Sequence, residues 1–103
     1  EGSLAVGIVP VTGLLDLKAF AAALGVRRVA MADPTLAERK TGYVVGGISP
    51  IGQRTRLRTV LGASALNFDT VLVSGGRRGF DIELAPNDLL RATGGSTASI
   101  ART

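Results

Sequence analysis

The chain contains no cysteine and no histidine. Their absence excludes disulfides, thiolate nucleophiles, zinc sites built on Cys or His, and Ser-His or Cys-His dyads. Acid–base chemistry is left to carboxylates, lysines, the single tyrosine, bound water or the substrate itself. Aromatic residues make up only 4% of the chain, which argues against the stacking platforms used for single-stranded nucleic acid. No apolar run approaches the ~20 residues of a membrane span. No secretory signal pattern is visible. A cytoplasmic location is the expectation, and lack of cysteine is compatible with it. Gly47 and Gly52 have the spacing of a phosphate loop's first and last glycines, but Gln53 stands where the lysine belongs and Pro50 interrupts the amides. A G-x-G-x-x-G dinucleotide fingerprint does not fit either. No cofactor and no metal are expected.

What is present fits one globular domain over residues 1–103: 46% hydrophobic and 19% charged residues. The net charge is +4 and the pI near 10.7. That balance fits a polyanionic partner such as RNA, and equally a solvated basic surface. The chain opens Glu1-Gly2-Ser3 and enters a strand-like run at once. The expectation is the interior of a longer polypeptide.

Leu4–Val11 is apolar on both faces, predicting a central, buried strand ended by Pro10. Asp16 caps a helix whose stripe is Leu17, Phe20, Ala21 and Leu24, with Gly25 as its stop. Val26–Ala32 predicts a short strand. Asp33-Pro34 opens a helix running to about Lys40, which Gly42 can end. Tyr43–Val45 reads as extended. Arg54–Leu61 alternates basic and apolar, predicting an edge or half-exposed strand. Gly62–Asn67 is a connection. Thr70–Ser74 and Phe80–Leu84 form a hairpin across a GGRRG turn. A helix follows over Pro86–Ala92, stopped by Gly94-Gly95, and Thr97–Ala101 adds a strand. The fold class is a mixed α/β or α+β single domain, with a β-sheet flanked by short helices.

The densest feature is TGYVVGGISPIGQ at 41–53. Its glycines let backbone turn sharply and approach a ligand, and Pro50 biases Ser49 toward extended geometry. Without histidine, Ser49 reads as a hydrogen bonder or loop-shaper rather than a nucleophile. Tyr43 reads as packing. Ser74-Gly75-Gly76 fits an ordinary hairpin turn, and also a wall offering a hydroxyl and flexible amides. Asp81 and Glu83 share one strand face, which is either solvated or aimed into a site beside the glycine loop. The arginines at 27–28, 54, 56, 58 and 77–78 are surface charges that gain meaning only if they ring one cleft.

Together, MADPTLAERKTG at 31–42, TGYVVGGISPIGQ at 41–53 and VSGGRRGFDIEL at 73–84 are very similar to the YbaK family. That family comprises Cys-tRNA(Pro) and Ala-tRNA(Pro) deacylases and the editing domain inserted in bacterial prolyl-tRNA synthetases. The likeness covers essentially the whole chain and is nearest the free-standing Cys-tRNA(Pro) deacylase branch. It implies a hydrolase of mischarged aminoacyl-tRNA, with tRNA as partner and prolyl-tRNA synthetase as a possible second one. By position, Gly46 falls on the loop glycine that holds the aminoacyl carbonyl or terminal ribose, and Gly47, Ile48, Ser49 and Pro50 continue that loop. Ser74 and Asp81 fall on the polar positions of the opposite wall, which Gly75 and Gly76 shape. Gly46 and Asp81 are the implied catalytic positions. The family also carries a lysine on a strand upstream of the region aligned here. The likeness therefore implies an N-terminally shortened domain, for which Lys18 and Lys40 are no substitutes. The alternative is a non-catalytic module of the same fold that grips the tRNA acceptor end or a synthetase.

Overall fold

A computed structural model describes residues 3–102. Strand β1 (Ala5–Ile8) pairs in parallel with β3 (Arg58–Gly62), and β3 pairs in parallel with β6 (Ser96–Ala98). Two antiparallel pairs complete the strand set: β2 (Leu14–Leu15) with β7 (Ala101–Arg102), and β4 (Val71–Arg77) with β5 (Phe80–Leu84). Parallel β1–β3 pairing needs a long crossover, and helices α1 (Leu17–Leu24) and α2 (Pro34–Thr41) lie within it. Helix α3 (Pro86–Thr93) joins the hairpin to β6.

The helices start and stop where side-chain chemistry dictates. Asp16 accepts from the Ala19 amide at 3.0 Å and Asp33 from the Leu36 amide at 3.2 Å. Each satisfies an orphan donor of its first turn. Gly25, Gly42 and Gly94 end the three helices in left-handed geometry, which costs a residue without Cβ little. Arg58 donates to the Leu24 carbonyl at 2.7 Å, so β3 also ties down the last turn of α1.

Strand β3 divides the core. Val60 packs with Phe20, Leu24 and Ile100, whereas Leu61 packs with Val73 and Leu89. Adjacent strand residues point to opposite faces, so one strand organises two hydrophobic clusters. The Asp16 amide donates to the Ile100 carbonyl at 2.7 Å, linking α1's entry to the stretch after β6.

Five expectations are corrected. Among the described residues β1 pairs only with β3, so it is an edge strand, half-buried at every position. The predicted strand at 26–32 forms no ladder; Val26 and Met31 are exposed. The predicted edge strand at 54–61 begins only at Arg58 and is central and buried from Thr59 onward. Arg54 and Arg56 lie in the irregular run before the ladder, where no pairing is required, and Arg58 opens the ladder opposite Ala5. Tyr43–Val45 is turn rather than extended, because the Gly47 amide donates to the Val44 carbonyl at 2.9 Å. The last predicted strand is broken into β6 and β7 by Ser99 and Ile100, which lets Ile100 enter the core.

Leu61→Ala is expected to lower unfolding free energy by about 2–5 kcal/mol. Urea denaturation followed by circular dichroism measures it; a loss below about 0.5 kcal/mol would remove β3 from its central role.

Candidate active site

The loop between α2 and β3 is tied off at its base. The Arg54 amide donates to the Thr41 carbonyl at 2.8 Å and the Thr55 amide to the Lys40 carbonyl at 3.0 Å. Chain ends held together over a compact internal path make an Ω-loop. Inside it, Ser49 is 1% exposed; its Oγ accepts from the Ile51 amide at 3.1 Å and its carbonyl accepts from Gln53 Nε2 at 2.9 Å. Tyr43 donates its hydroxyl proton to the Ile51 carbonyl at 2.5 Å. Glu38 on α2 accepts from the Val45 amide at 2.8 Å. The loop therefore holds its shape by its own polar groups. Ser49 acts as the loop-shaper, and Tyr43 packs.

The second wall is the β4–β5 hairpin. Ser74 pairs directly with Asp81, and Leu72 with Glu83. Directly opposed residues share a face, so Leu72, Ser74, Asp81 and Glu83 lie on one side. Val73 and Ile82 fall on the other side, toward the core. Asp81 and Glu83 are exposed, and Glu83 accepts a hydrogen bond from the Thr70 hydroxyl at 2.6 Å. Ser74 Oγ accepts from the Gly76 amide at 3.3 Å within an irregular step of the ladder between Ser74 and Arg77.

The glycines lie where these walls meet. A Cβ on Gly47 would stand 2.6 Å from the Arg77 Cα, and one on Gly76 would stand 2.8 Å from the Tyr43 ring. On Gly75 it would enter the Phe80 ring. Gly46, with φ of 98°, lies under Arg78, whose nearest guanidinium nitrogen would be 2.7 Å from an added Cβ. Loop and hairpin are thus packed backbone to backbone, a separation that only glycine permits. Among the described residues neither the Gly46 nor the Ile48 amide has a protein acceptor.

A groove of about 1380 Å³ runs along β1 and reaches Ile48 and Pro50 of the loop and Ser74 of the hairpin. That volume exceeds the ~300–1,000 Å³ of enclosed ligand pockets, so it is an open cleft. Of the residues singled out in the sequence, Ile48, Pro50 and Ser74 line the groove directly. Asp81 lies beside Ser74 on the same hairpin face. Gly46, Gly47, Gly75 and Gly76 form the loop–hairpin contact, and Ser49 is inside the loop. Sequence reasoning passed over Gln53 and Thr41, which also line the groove, and the docking of Arg78 on Gly46. The adjacency of GGRRG to a site motif was the available signal for Arg78. Among the described residues no helix is long and apolar enough to cross a membrane.

Residues 1–92 match the family model described as the aminoacyl-tRNA editing domain. The chain is 41% identical over 95 residues to EbsC of Enterococcus faecalis, which is named as a deacylase of Cys-tRNA(Pro) and Cys-tRNA(Cys). The aligned part is 92% of this chain and 58% of that relative, so the chain spans little more than half the length of the protein it matches. A solved structure described as a trans-editing enzyme for prolyl-tRNA synthetase superposes with a TM-score of 0.87 at 26% identity, over 96% of this chain and 62% of that one. The hypothetical protein APE2540 superposes with a TM-score of 0.86 at 25% identity, over 98% and 67%.

Gly47→Ala is expected to push the loop off the hairpin at a cost of about 1–3 kcal/mol, read as a lowered thermal midpoint. The comparison is Gly79→Ala, where no atom lies within 4 Å and only the positive φ of 82° is strained. Equal midpoints for the two variants would refute the close-approach account.

Proposed function

The chain belongs to the aminoacyl-tRNA editing domain family, and on that premise we propose that it hydrolyses the ester of mischarged tRNA, with cysteine carried by tRNA(Pro) as the substrate to test first. The observation that supports this reading is a rigid loop with free Gly46 and Ile48 amides, docked on a hairpin whose Ser74 and Asp81 share a face. Ester cleavage builds negative charge on the carbonyl oxygen, and preformed amide donors stabilise it. In the proposal the carbonyl lies at Gly46 and Ile48. Ile48 and Pro50 bound the aminoacyl group. Ser74 and Asp81 hydrogen-bond a ribose hydroxyl or the substrate amine. Gly47, Ser49, Gly75 and Gly76 act through the shape they give the two walls.

With neither histidine nor cysteine in the chain, the nucleophile comes from outside the side chains: water, a ribose hydroxyl, or the thiol of the esterified cysteine. Such a reaction draws its rate from positioning and electrostatics. The name of EbsC supports the choice of cysteine, and the trans-editing neighbour supports prolyl-tRNA synthetase as a partner. A tRNA substrate places the proposed activity in the cytoplasm.

The breadth of the groove and the exposure of Asp81 favour a second reading, a module that holds the acceptor end without cleaving the ester. Incubation with Cys-tRNA(Pro) and Ala-tRNA(Pro) separates the two. Deacylation predicts release of free amino acid in proportion to protein added. Binding of uncharged tRNA, with no ester loss from either charged tRNA at any protein concentration, would establish the binding module.

Asp81→Ala is expected to lower kcat/KM by about tenfold or more. Gly46→Ala puts a side chain on a φ of 98° and strains the loop; its expected loss is comparable to that of one oxyanion donor, about 10²–10³. Undiminished deacylation in Asp81→Ala would take that residue out of the site.

A further inference from the structure

The arginines flanking the loop are not consumed by the fold. Among the described residues the one ion pair joins Arg91 and Asp88, so Arg54, Arg77 and Arg78 have no carboxylate to neutralise them. Each lies close to a loop or hairpin group. The Arg78 guanidinium lies close to Gly46, nearest through one terminal nitrogen: its Nη2, Cζ and Nε would stand 2.7, 3.5 and 3.5 Å from a Cβ there. Arg77 lies 5.3 Å from the centre of the Phe80 ring, a cation–π contact. At the other end of the loop, the Arg54 side chain runs along Gly42, whose added Cβ would be 3.4 Å from its Cβ and 3.6 Å from its Nε. The Arg54 backbone is fixed by its bond to Thr41.

These contacts put uncompensated guanidinium groups beside Gly46 and at the base of the loop that carries it. A guanidinium fork matches a phosphate bidentately and keeps its charge at any physiological pH. The exposed alternative, arginines merely solvated, does not account for Arg78 being laid on the same glycine whose amide is free. From this geometry we infer that Arg78, with Arg54 as the outer contact, grips the phosphodiester backbone of the single-stranded 3′ end of a tRNA and thereby sets the terminal ester at Gly46. Arg77, turned onto Phe80, is the lesser contributor. The inference rests on the deacylase reading for what the ester does, but not for the RNA contact. Arg78 is a positioning residue: it holds the chain of phosphates, while the loop amides meet the reacting carbonyl.

The test uses the 103-residue protein and a fluorescent acceptor-stem RNA ending in single-stranded ACCA, titrated by anisotropy over a range of salt concentrations. Arg78→Ala is expected to weaken binding about tenfold or more. The slope of log K against log salt should become shallower by about 0.7, the share of one single-strand phosphate. Arg78→Lys should retain most of that slope while losing part of the affinity. Arg54→Ala should show a smaller loss of the same kind, and Arg91→Ala none. Thermal midpoints are measured alongside, and Arg78→Gln provides a second neutral variant of similar size. Deacylation of Cys-tRNA(Pro) is followed in parallel, where the expected effect of Arg78→Ala falls on KM rather than kcat. Affinity, slope and KM all unchanged in Arg78→Ala and Arg78→Gln, with hydrolysis intact, would overturn this inference alone. Arg78-dependent binding with no hydrolysis by the unsubstituted chain would uphold it and sink the deacylase reading. No RNA binding by the unsubstituted chain at low salt would overturn it outright.

Discussion

Two-sided burial of β3 is the constraint on which the remaining architecture depends. Val60 and Leu61 are adjacent, each is 2% exposed, and each belongs to a different hydrophobic cluster. At roughly 25 cal/mol per Å² of apolar surface removed from water, neither cluster can lose this strand and keep its interior dry. The Val60 side gathers α1 and Ile100; the Leu61 side gathers α3 and the hairpin. The site lies on the second arm. Ile51 of the glycine loop and Ile82 of the hairpin both pack against the Leu61 cluster. The two walls therefore share one apolar anchor, and their relative position is a packing outcome before it is a chemical one.

On that anchor, the close approach of loop and hairpin is secured by leaving atoms out. A side chain at Gly47, Gly75 or Gly76 would meet backbone or ring atoms at less than 3 Å. Glycine carries an entropic cost of roughly 0.5–1 kcal/mol relative to alanine. The loop offsets it with internal hydrogen bonds from Tyr43, Ser49 and Gln53 and with the clasp between Arg54 and Thr41. The polar side chains of the loop hold its shape, and the Gly46 and Ile48 amides are left without an acceptor among the described residues.

That division explains how much the sequence disclosed. Helix boundaries were legible because each is set locally: Asp16 and Asp33 cap, Gly25, Gly42 and Gly94 stop. The hairpin was legible from alternation, and with it the shared face of Ser74 and Asp81. Strand rank was not legible. Leu4–Val11 is apolar enough for a central strand, yet β1 is an edge; the arginine-rich 54–61 looked like an edge, yet β3 is central. Rank depends on which strands find partners, a non-local matter that composition does not encode. Val26–Ala32 has strand-like residues and no partner among the described residues, so it stays irregular. The motif residues of the site were visible as a set, but not their division of labour. Ser49 carries a hydroxyl that the fold buries and uses, while Arg78 stays exposed, as read from the sequence, and lies close to Gly46.

The open shape of the cleft bears on how such a site would work. Amide donors stabilise a developing oxyanion best where water is excluded, because the effective dielectric falls. The groove beside Ile48, Pro50 and Ser74 is too broad to exclude water on its own. On the deacylase reading, desolvation must then come with the substrate. A terminal nucleoside lying across the loop would cover the Gly46 and Ile48 amides while its ribose met Ser74 and Asp81. Free amino-acid esters, lacking that cover, would leave the same donors wet. Selectivity for tRNA over small esters would thus follow from the shape of the cleft itself, since the group that is recognised is also the group that closes the site.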